Sequence, residues 1–75
     1  MERYKNLGGD SAIVAYELAT DAITVKFRDG WHYLYSIQST SPSNIREMQR
    51  LAAEGRGLNS FISRFVRKGY VRKWM

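Results

Sequence analysis

Cations and aromatic side chains alternate over the last twenty residues of the chain, and residues 56–75 carry no acidic side chain. Ammonium and guanidinium groups neutralise phosphates or carboxylates, and aromatic rings stack on bases. A patch of one sign with interleaved aromatics therefore indicates a surface for an acidic partner. The predicted binding residues are Arg56, Arg64, Arg67, Lys68, Tyr70, Arg72, Lys73 and Trp74.

The rest of the chain is nearly neutral. Residues 1–55 hold six basic and seven acidic side chains, whereas residues 56–75 hold six basic ones, so the formal net charge of +5 originates in residues 56–75. A solvated surface of Arg and Lys is the simpler interpretation of such a segment. Ordinary surfaces mix both signs, however, and an uneven distribution adds self-repulsion without helping the core. The asymmetry therefore favours a binding function.

The residue types do not indicate a catalytic site. His32 is the one histidine and the chain has no cysteine, so no zinc site is predicted. A general base would need a positioned nucleophile and an orienting acid, and the acids are scattered along the chain. We predict no catalytic residue, no metal and no cofactor, and we do not expect an enzyme.

Length and composition indicate one small domain. A chain of 75 residues has room for a single hydrophobic core. The absence of cysteine favours a reducing cytoplasm, where small domains form without disulfides. The longest apolar run, Ala12 to Tyr16, is too short to span a membrane. We expect a cytoplasmic monomer that does not use a membrane.

Alternating hydrophobicity predicts an antiparallel meander after a flexible leader at 1–10. Three strands are expected at about 11–19, 22–28 and 31–38. In the first of them, the side chains predicted to share one face are Ala12, Val14, Tyr16 and Leu18.

The Asp29-Gly30 turn leaves two hairpin registers open. A two-residue turn would place Tyr33 and Tyr35 on a solvent face with Lys26 and Arg28, as a basic aromatic platform. A three-residue turn, with Gly30 as a left-handed bulge, instead places all the large apolar residues on one face. Each of these contributes roughly 1.5–3 kcal/mol when buried, so the bulged register is preferred and both tyrosines are assigned to the core.

Two helices are predicted after the strands, so the fold class is α+β. The first spans about 42–54, with Ser41 as its N-terminal cap and Gly55 as its C-terminal cap. The second spans about 58–68 and is amphipathic, with a basic outer face. An aromatic-basic tail at 71–75 follows it. The apolar face of the second helix is predicted to consist of Leu58, Phe61, Ile62, Phe65 and Val66.

This order of elements resembles the KTSC domain family over residues 11–70. The resemblance rests on Gly30 followed by the pair Tyr33 and Tyr35, and on a second-helix start at Gly57-Leu58-Asn59. The loop 39–41 departs from the family, where we expect the first helix to follow the third strand more directly. Family members occur alone in bacterial and phage proteins and at the C-terminus of some lysyl-tRNA synthetases. The resemblance implies RNA binding as a suggested function and no catalytic residues.

Two functions remain open on these grounds. The first is a nucleic-acid-binding module, with RNA or single strands favoured, in which the cations neutralise phosphates and the aromatics stack on bases. The second is a protein-interaction module, for example a small regulator of transcription that docks on an acidic surface of a machine such as RNA polymerase. Membrane-surface binding is weaker, because the second helix needs its apolar face for the core.

Overall fold

Antiparallel strands form one sheet in the computed structural model, which describes residues 1–9 and 11–75. Over these residues the sheet has five strands in the order β1-β2-β3-β4-β5. The α+β class is confirmed, but the predicted count of three strands is wrong, because a short strand adds to each edge of the meander. The strands are β1 (Glu2–Arg3), β2 (Ile13–Ala19), β3 (Ala22–Phe27), β4 (His32–Ser36) and β5 (Arg72–Trp74).

The segment expected to be a leader contributes to the sheet and to the core. Strand β1 pairs with β2 in antiparallel register. The following residue, Tyr4, is buried, and its Oη accepts the N–H of Leu58 at 3.3 Å. Asp10, at the end of the expected leader, lies outside the described residues.

The β3–β4 hairpin takes the bulged register. The Phe27 N–H donates to the Trp31 carbonyl at 2.9 Å, and Gly30 adopts a φ of 97° within the three-residue turn. Glycine tolerates this left-handed backbone without steric penalty. The preferred hairpin prediction is therefore confirmed, and Tyr35 is fully buried on the same face as Val25.

A β-bulge in β2 changes which residues face the core. The register with β3 shifts between Ile13 and Ala15. Ile13 is consequently buried and Val14 is exposed, so the prediction that Val14 shares a face with Tyr16 is wrong. The physical reason is that one extra residue in a strand reverses the alternation on one side of the bulge.

Helix α1 (Pro42–Glu54) has the bounds and caps that the sequence predicts. The Ser41 Oγ accepts the Asn44 N–H at 3.1 Å, and Gly55 ends the helix with a φ of 88°. The Gly55 N–H donates to the Leu51 carbonyl at 2.9 Å. The buried side chains of α1 are Ile45, Met48 and Ala52.

The second helix is shorter than predicted and changes type. Helix α2 (Leu58–Phe61) continues into a π-helical segment (Ile62–Val66). The Arg67 N–H donates to the Ile62 carbonyl at 2.7 Å, which closes the wider i→i+5 turn of a π-helix. The wider turn keeps Ile62 buried but rotates Phe65 outward, so Phe65 is 61% exposed and its prediction as a core residue is wrong.

Both helical regions pack against one face of the sheet, and residues 1–9 and 11–75 place no helix on the other face. The core between these layers holds residues from β2, β3 and β4 and from each helical region. None of the helices in the described part of the chain is long and apolar enough to cross a membrane. The core consists of Tyr4, Ile13, Tyr16, Ile23, Val25, Tyr35, Ile45, Met48, Ala52, Leu58, Ile62 and Val66.

Candidate functional site

A groove of about 350 Å³ opens where the β3–β4 hairpin meets the end of the π-helical segment and the residues that lead into β5. It combines aromatic rings, cations and neutral polar side chains. We call it the hairpin groove. Its lining residues are Phe27, Asp29, Tyr33, Tyr35, Asn59, Ile62, Ser63, Arg67, Lys68, Tyr70 and Lys73.

The aromatic wall of the hairpin groove is built from edge-to-face contacts. The Tyr33 ring lies 5.2 Å from Phe27 and 5.1 Å from Tyr70, with interplanar angles of 82° and 78°. Perpendicular rings of this kind hold one another in place through their quadrupoles. Tyr33 and Tyr70 are only half-buried, so each ring retains surface that faces the groove.

Lys73 brings a cation to this aromatic wall. Its Nζ lies 5.2 Å from the centroid of Trp31, 5.9 Å from Tyr33 and 6.0 Å from Tyr70. These distances are within the range of cation–π attraction. The attraction fixes the ammonium group beside the rings, where it can meet an anion carried by a stacked ligand.

Tyr35 forms the floor of the groove. Burial raises the pKa of its hydroxyl well above the ordinary value of 10.0, and the neighbouring Tyr33 and Tyr70 raise it further. Its Oη donates a long hydrogen bond of 3.5 Å to the Arg67 carbonyl. The hydroxyl therefore stays neutral at physiological pH and contributes no charge to the groove.

Arg67 enters the groove from a strained backbone. Its φ of 42° and ψ of −110° lie outside the regions that residues with a side chain prefer. Its N–H closes the π-turn by donating to the Ile62 carbonyl. Strain of this type and π-helical turns both concentrate at functional sites. Arg67 and Lys68 line the side of the groove that lies at the end of the π-helical segment.

Two predicted site residues lie on the opposite face of the sheet. Strand β5 pairs Arg72 with Leu34 and Trp74 with His32, on the face away from the helices. The Trp74 ring stacks on His32 with a centroid distance of 5.4 Å and an interplanar angle of 9°. The Arg72 guanidinium covers the Trp74 ring at 4.9 Å. The three side chains form a layered stack on the face of β4 and β5 that points away from the helices.

The other two predicted cations occupy separate places. Arg56 lines a smaller polar cavity of about 170 Å³ beside Tyr4 and Asn59. Arg64 is exposed and lies 5.7 Å from the ring of Phe65, on the outer side of the π-helical segment. The structure thus brings together four of the eight predicted residues, namely Arg67, Lys68, Tyr70 and Lys73.

Several groove residues are missing from the sequence-based set. The sequence predicts Tyr33 as a core residue that shares a face with Tyr35, but Tyr33 lies at the margin of that core and also faces the groove. For Asp29 the sequence predicts only a role in the turn. Asn59 and Ser63 are neutral polar residues, so neither charge nor aromaticity marks them as binding residues in the sequence. Two signals in the sequence point to this region: the Asp29-Gly30 turn followed by Tyr33, and the cations and Tyr70 of the C-terminal segment.

No protein-family model matches the chain, and comparison with curated proteins and with solved structures gives no match. The resemblance to the KTSC family therefore stays a hypothesis.

Proposed function

We propose that the chain is a non-enzymatic module that binds single-stranded nucleic acid, preferably RNA, in the hairpin groove. The observation that carries this proposal is the position of the Lys73 ammonium group, within 6.0 Å of the centroids of both Tyr33 and Tyr70. Stacked bases need exposed aromatic rings, and their phosphates need cations at a short distance from those rings. The hairpin groove offers both.

The balance of charge in the groove supports the same proposal. Arg67, Lys68 and Lys73 line it, against the single acid Asp29 among the described lining residues. Three cations give a phosphate-binding surface without the wide, uniform footprint that duplex binding uses. The proposed site is accordingly smaller than the whole basic segment.

Preference for RNA over DNA is supported by the neutral polar groups of the groove. The side chains of Asn59 and Ser63 line it beside the cations. An amide and a hydroxyl can both donate to and accept from a ribose 2′-hydroxyl, which is the group that distinguishes RNA from DNA.

A titration of labelled protein with single-stranded RNA, single-stranded DNA and duplex RNA tests the proposal. We expect chemical-shift changes at Tyr33, Tyr70 and Lys73 and the tightest binding for single-stranded RNA. With three phosphates engaged, log affinity should fall against log salt with a slope of about −2, whereas engagement of all six C-terminal cations would give about −4. Absence of binding at low salt would refute the proposal.

A matched pair of charge variants identifies the surface. Lys68→Ala removes a groove cation, whereas Arg46→Ala removes an exposed cation on α1, away from the groove. We expect weaker binding for the first variant and unchanged binding for the second. Equal losses in both would indicate attraction by net charge alone.

A second candidate function is docking on an acidic protein surface, for example that of RNA polymerase. Exposed Phe65 favours it, because the ring packs on Phe61 at 4.9 Å and lies beside the Arg64 guanidinium. An aromatic anchor next to an arginine is typical of interface hot spots. A tagged pull-down that retains a partner after nuclease treatment, and loses it with Phe65→Ala, would support this function over the first.

Assignment to the KTSC family, a monomeric state and a cytoplasmic location are parts of the same proposal. The family assignment is supported by the tyrosine pair after Gly30 and by the α2 start at Leu58. The location is supported by the absence of cysteine from the sequence.

A further inference from the structure

Asp29 is an acid in a groove that otherwise carries cations. It lies in the turn between β3 and β4, is exposed, and lines the same groove as Tyr33 and Tyr70. Its Oδ1 accepts the Trp31 N–H at 3.0 Å, which fixes the carboxylate relative to the hairpin. The salt bridges found among the described residues do not include Asp29. The carboxylate is thus positioned but retains acceptor capacity.

We propose that Asp29 makes the hairpin groove select guanine among the bases of single-stranded RNA. The proposal rests on the nucleic-acid-binding function proposed above and specifies its ligand. A base stacked on the aromatic wall would direct its Watson–Crick edge to the hairpin turn. The phosphate of the same nucleotide would contact the cations of Arg67 and Lys68. Unpaired bases in RNA are commonly read on this edge.

The chemistry of the base edges gives the selectivity. An ionised carboxylate only accepts hydrogen bonds. Guanine presents two adjacent donors, N1–H and the N2 amino group, which match the two carboxylate oxygens. Adenine and cytosine each present one amino donor beside an unprotonated ring nitrogen, which would repel the second oxygen. Uracil presents a single N–H between two carbonyl oxygens and is the poorest match.

The hydrogen bond from the Trp31 N–H does not prevent the Asp29 carboxylate from binding a base. Each carboxylate oxygen has two lone pairs, so Oδ1 can hold the Trp31 N–H and still accept a base donor. No group among the described residues donates to Oδ2, which can therefore accept the second donor. The backbone bond therefore orients the carboxylate without consuming it.

A single-position substitution series tests the proposal. Short uridine-rich RNAs with guanosine, inosine, adenosine, cytidine or uridine at one central position are titrated against the wild-type chain and Asp29→Asn. We expect the guanosine oligonucleotide to bind about fivefold or more tighter than the adenosine, cytidine and uridine ones. Inosine, which lacks the N2 amino group, should fall between guanosine and the others.

Asp29→Asn is the matched variant, because its amide oxygen can still accept the Trp31 N–H and preserve the turn. Its amide nitrogen is a donor, which removes the complementarity to guanine. We expect binding of the guanosine oligonucleotide to weaken to the level of the adenosine, cytidine and uridine ones, so that the guanosine preference disappears. An unchanged amide spectrum of the hairpin checks that the fold is the same.

The outcomes distinguish failure of guanine selectivity from failure of the proposed RNA-binding function. Equal binding of all five oligonucleotides by the wild-type chain would overturn the selectivity of Asp29 and leave RNA binding standing. A guanosine preference that persists in Asp29→Asn would overturn it as well. Failure of every oligonucleotide to bind at low salt would instead refute the proposed function itself.

Discussion

Lys73 of β5 pairs directly with Tyr33 of β4. Because successive side chains of a strand point to opposite faces, this pairing directs Lys73 into the hairpin groove and its neighbours Arg72 and Trp74 to the other face. The aromatic-basic tail is therefore divided between two surfaces.

The division of the tail gives a test with adjacent residues. Lys73→Ala should weaken binding of single-stranded RNA and reduce the magnitude of the salt slope by about 0.7, since one phosphate contact is lost. Arg72→Ala should leave the slope unchanged, because Arg72 lies on the opposite face. Affinity measured at several salt concentrations checks both. A similar loss of slope in the two variants would show that the tail binds as one unit.

The contribution of Tyr70 can be separated from its packing. Tyr70→Ala should weaken RNA binding by about 1–3 kcal/mol, because a stacking ring is removed. Tyr70→Phe keeps the ring and its contacts with Tyr33 and Tyr35, and should retain most of the affinity. Trp74→Ala removes an aromatic ring from the other face and serves as the control. Titrations followed by intrinsic fluorescence or chemical shift give the comparison, and a binding loss for Trp74→Ala equal to that for Tyr70→Ala would contradict the groove.

Arg67 combines a cation for the ligand with backbone strain. Arg67→Gly should raise the free energy of unfolding by about 1 kcal/mol, because glycine adopts a φ of 42° without a clashing Cβ. The same variant should bind RNA more weakly, since it lacks the guanidinium group.

Arg67→Ala is the matched variant for this prediction. It loses the same cation but keeps a Cβ, so it should bind as weakly as Arg67→Gly without the gain in stability. Urea unfolding of the three proteins provides the measurement. If Arg67→Gly and Arg67→Ala proved equally stable, the backbone at this position would not be strained.

Alkaline pH should destabilise the fold through Tyr35. In the unfolded chain the hydroxyl ionises near its ordinary pKa of 10.0, whereas burial raises the pKa in the folded chain. The unfolded state therefore loses a proton that the folded state keeps. Stability contributed by neutral Tyr35 is present below about pH 10 and declines above it by up to about 1.4 kcal/mol per pH unit.

Tyr35→Phe isolates this effect from the other titrating groups. The variant removes the ionisable hydroxyl and one long hydrogen bond to the Arg67 carbonyl. Its free energy of unfolding, measured from about pH 8 to about pH 11, should fall less steeply than that of the wild type. Parallel pH profiles for the two proteins would argue against a raised pKa for Tyr35.

Local chemistry made the β3–β4 hairpin and α1 predictable from sequence. Asp29-Gly30 restricts the turn, and only the bulged register buries Val25 together with Tyr35. Ser41 and Gly55 mark the ends of α1 through backbone requirements that few residues meet. In each case a short-range signal and the demand for burial agree.

The remaining features depend on contacts between distant parts of the chain. Strands β1 and β5 have two and three residues, too few to show an alternating pattern. The β2 bulge falls in the apolar run 12–16, where every register offers an apolar residue to the core. The π-turn leaves Phe65 at an α-helical spacing in sequence although its side chain is exposed.

The candidate site was half predictable for the same reason. Charge and aromaticity identified Lys73 and Tyr70, because these properties are visible in the residue types. The split of Lys73 from Arg72 follows from the pairing of β5, which no local pattern encodes. A binding role for Asp29 could not be predicted, because its place in the Asp29-Gly30 turn is a sufficient reason for an aspartate there.

Strands β1 and β5 also determine how the sheet meets other chains. A long exposed edge presents a row of unpaired N–H and C=O groups on which a second sheet can grow, and proteins avoid such edges to prevent aggregation. Here the longer central strands are flanked by edges of two and three residues. Removal of β5 would uncover the backbone of β4 along Leu34 and its neighbours. The same short strand that carries Lys73 into the groove thus also shields the sheet from self-association.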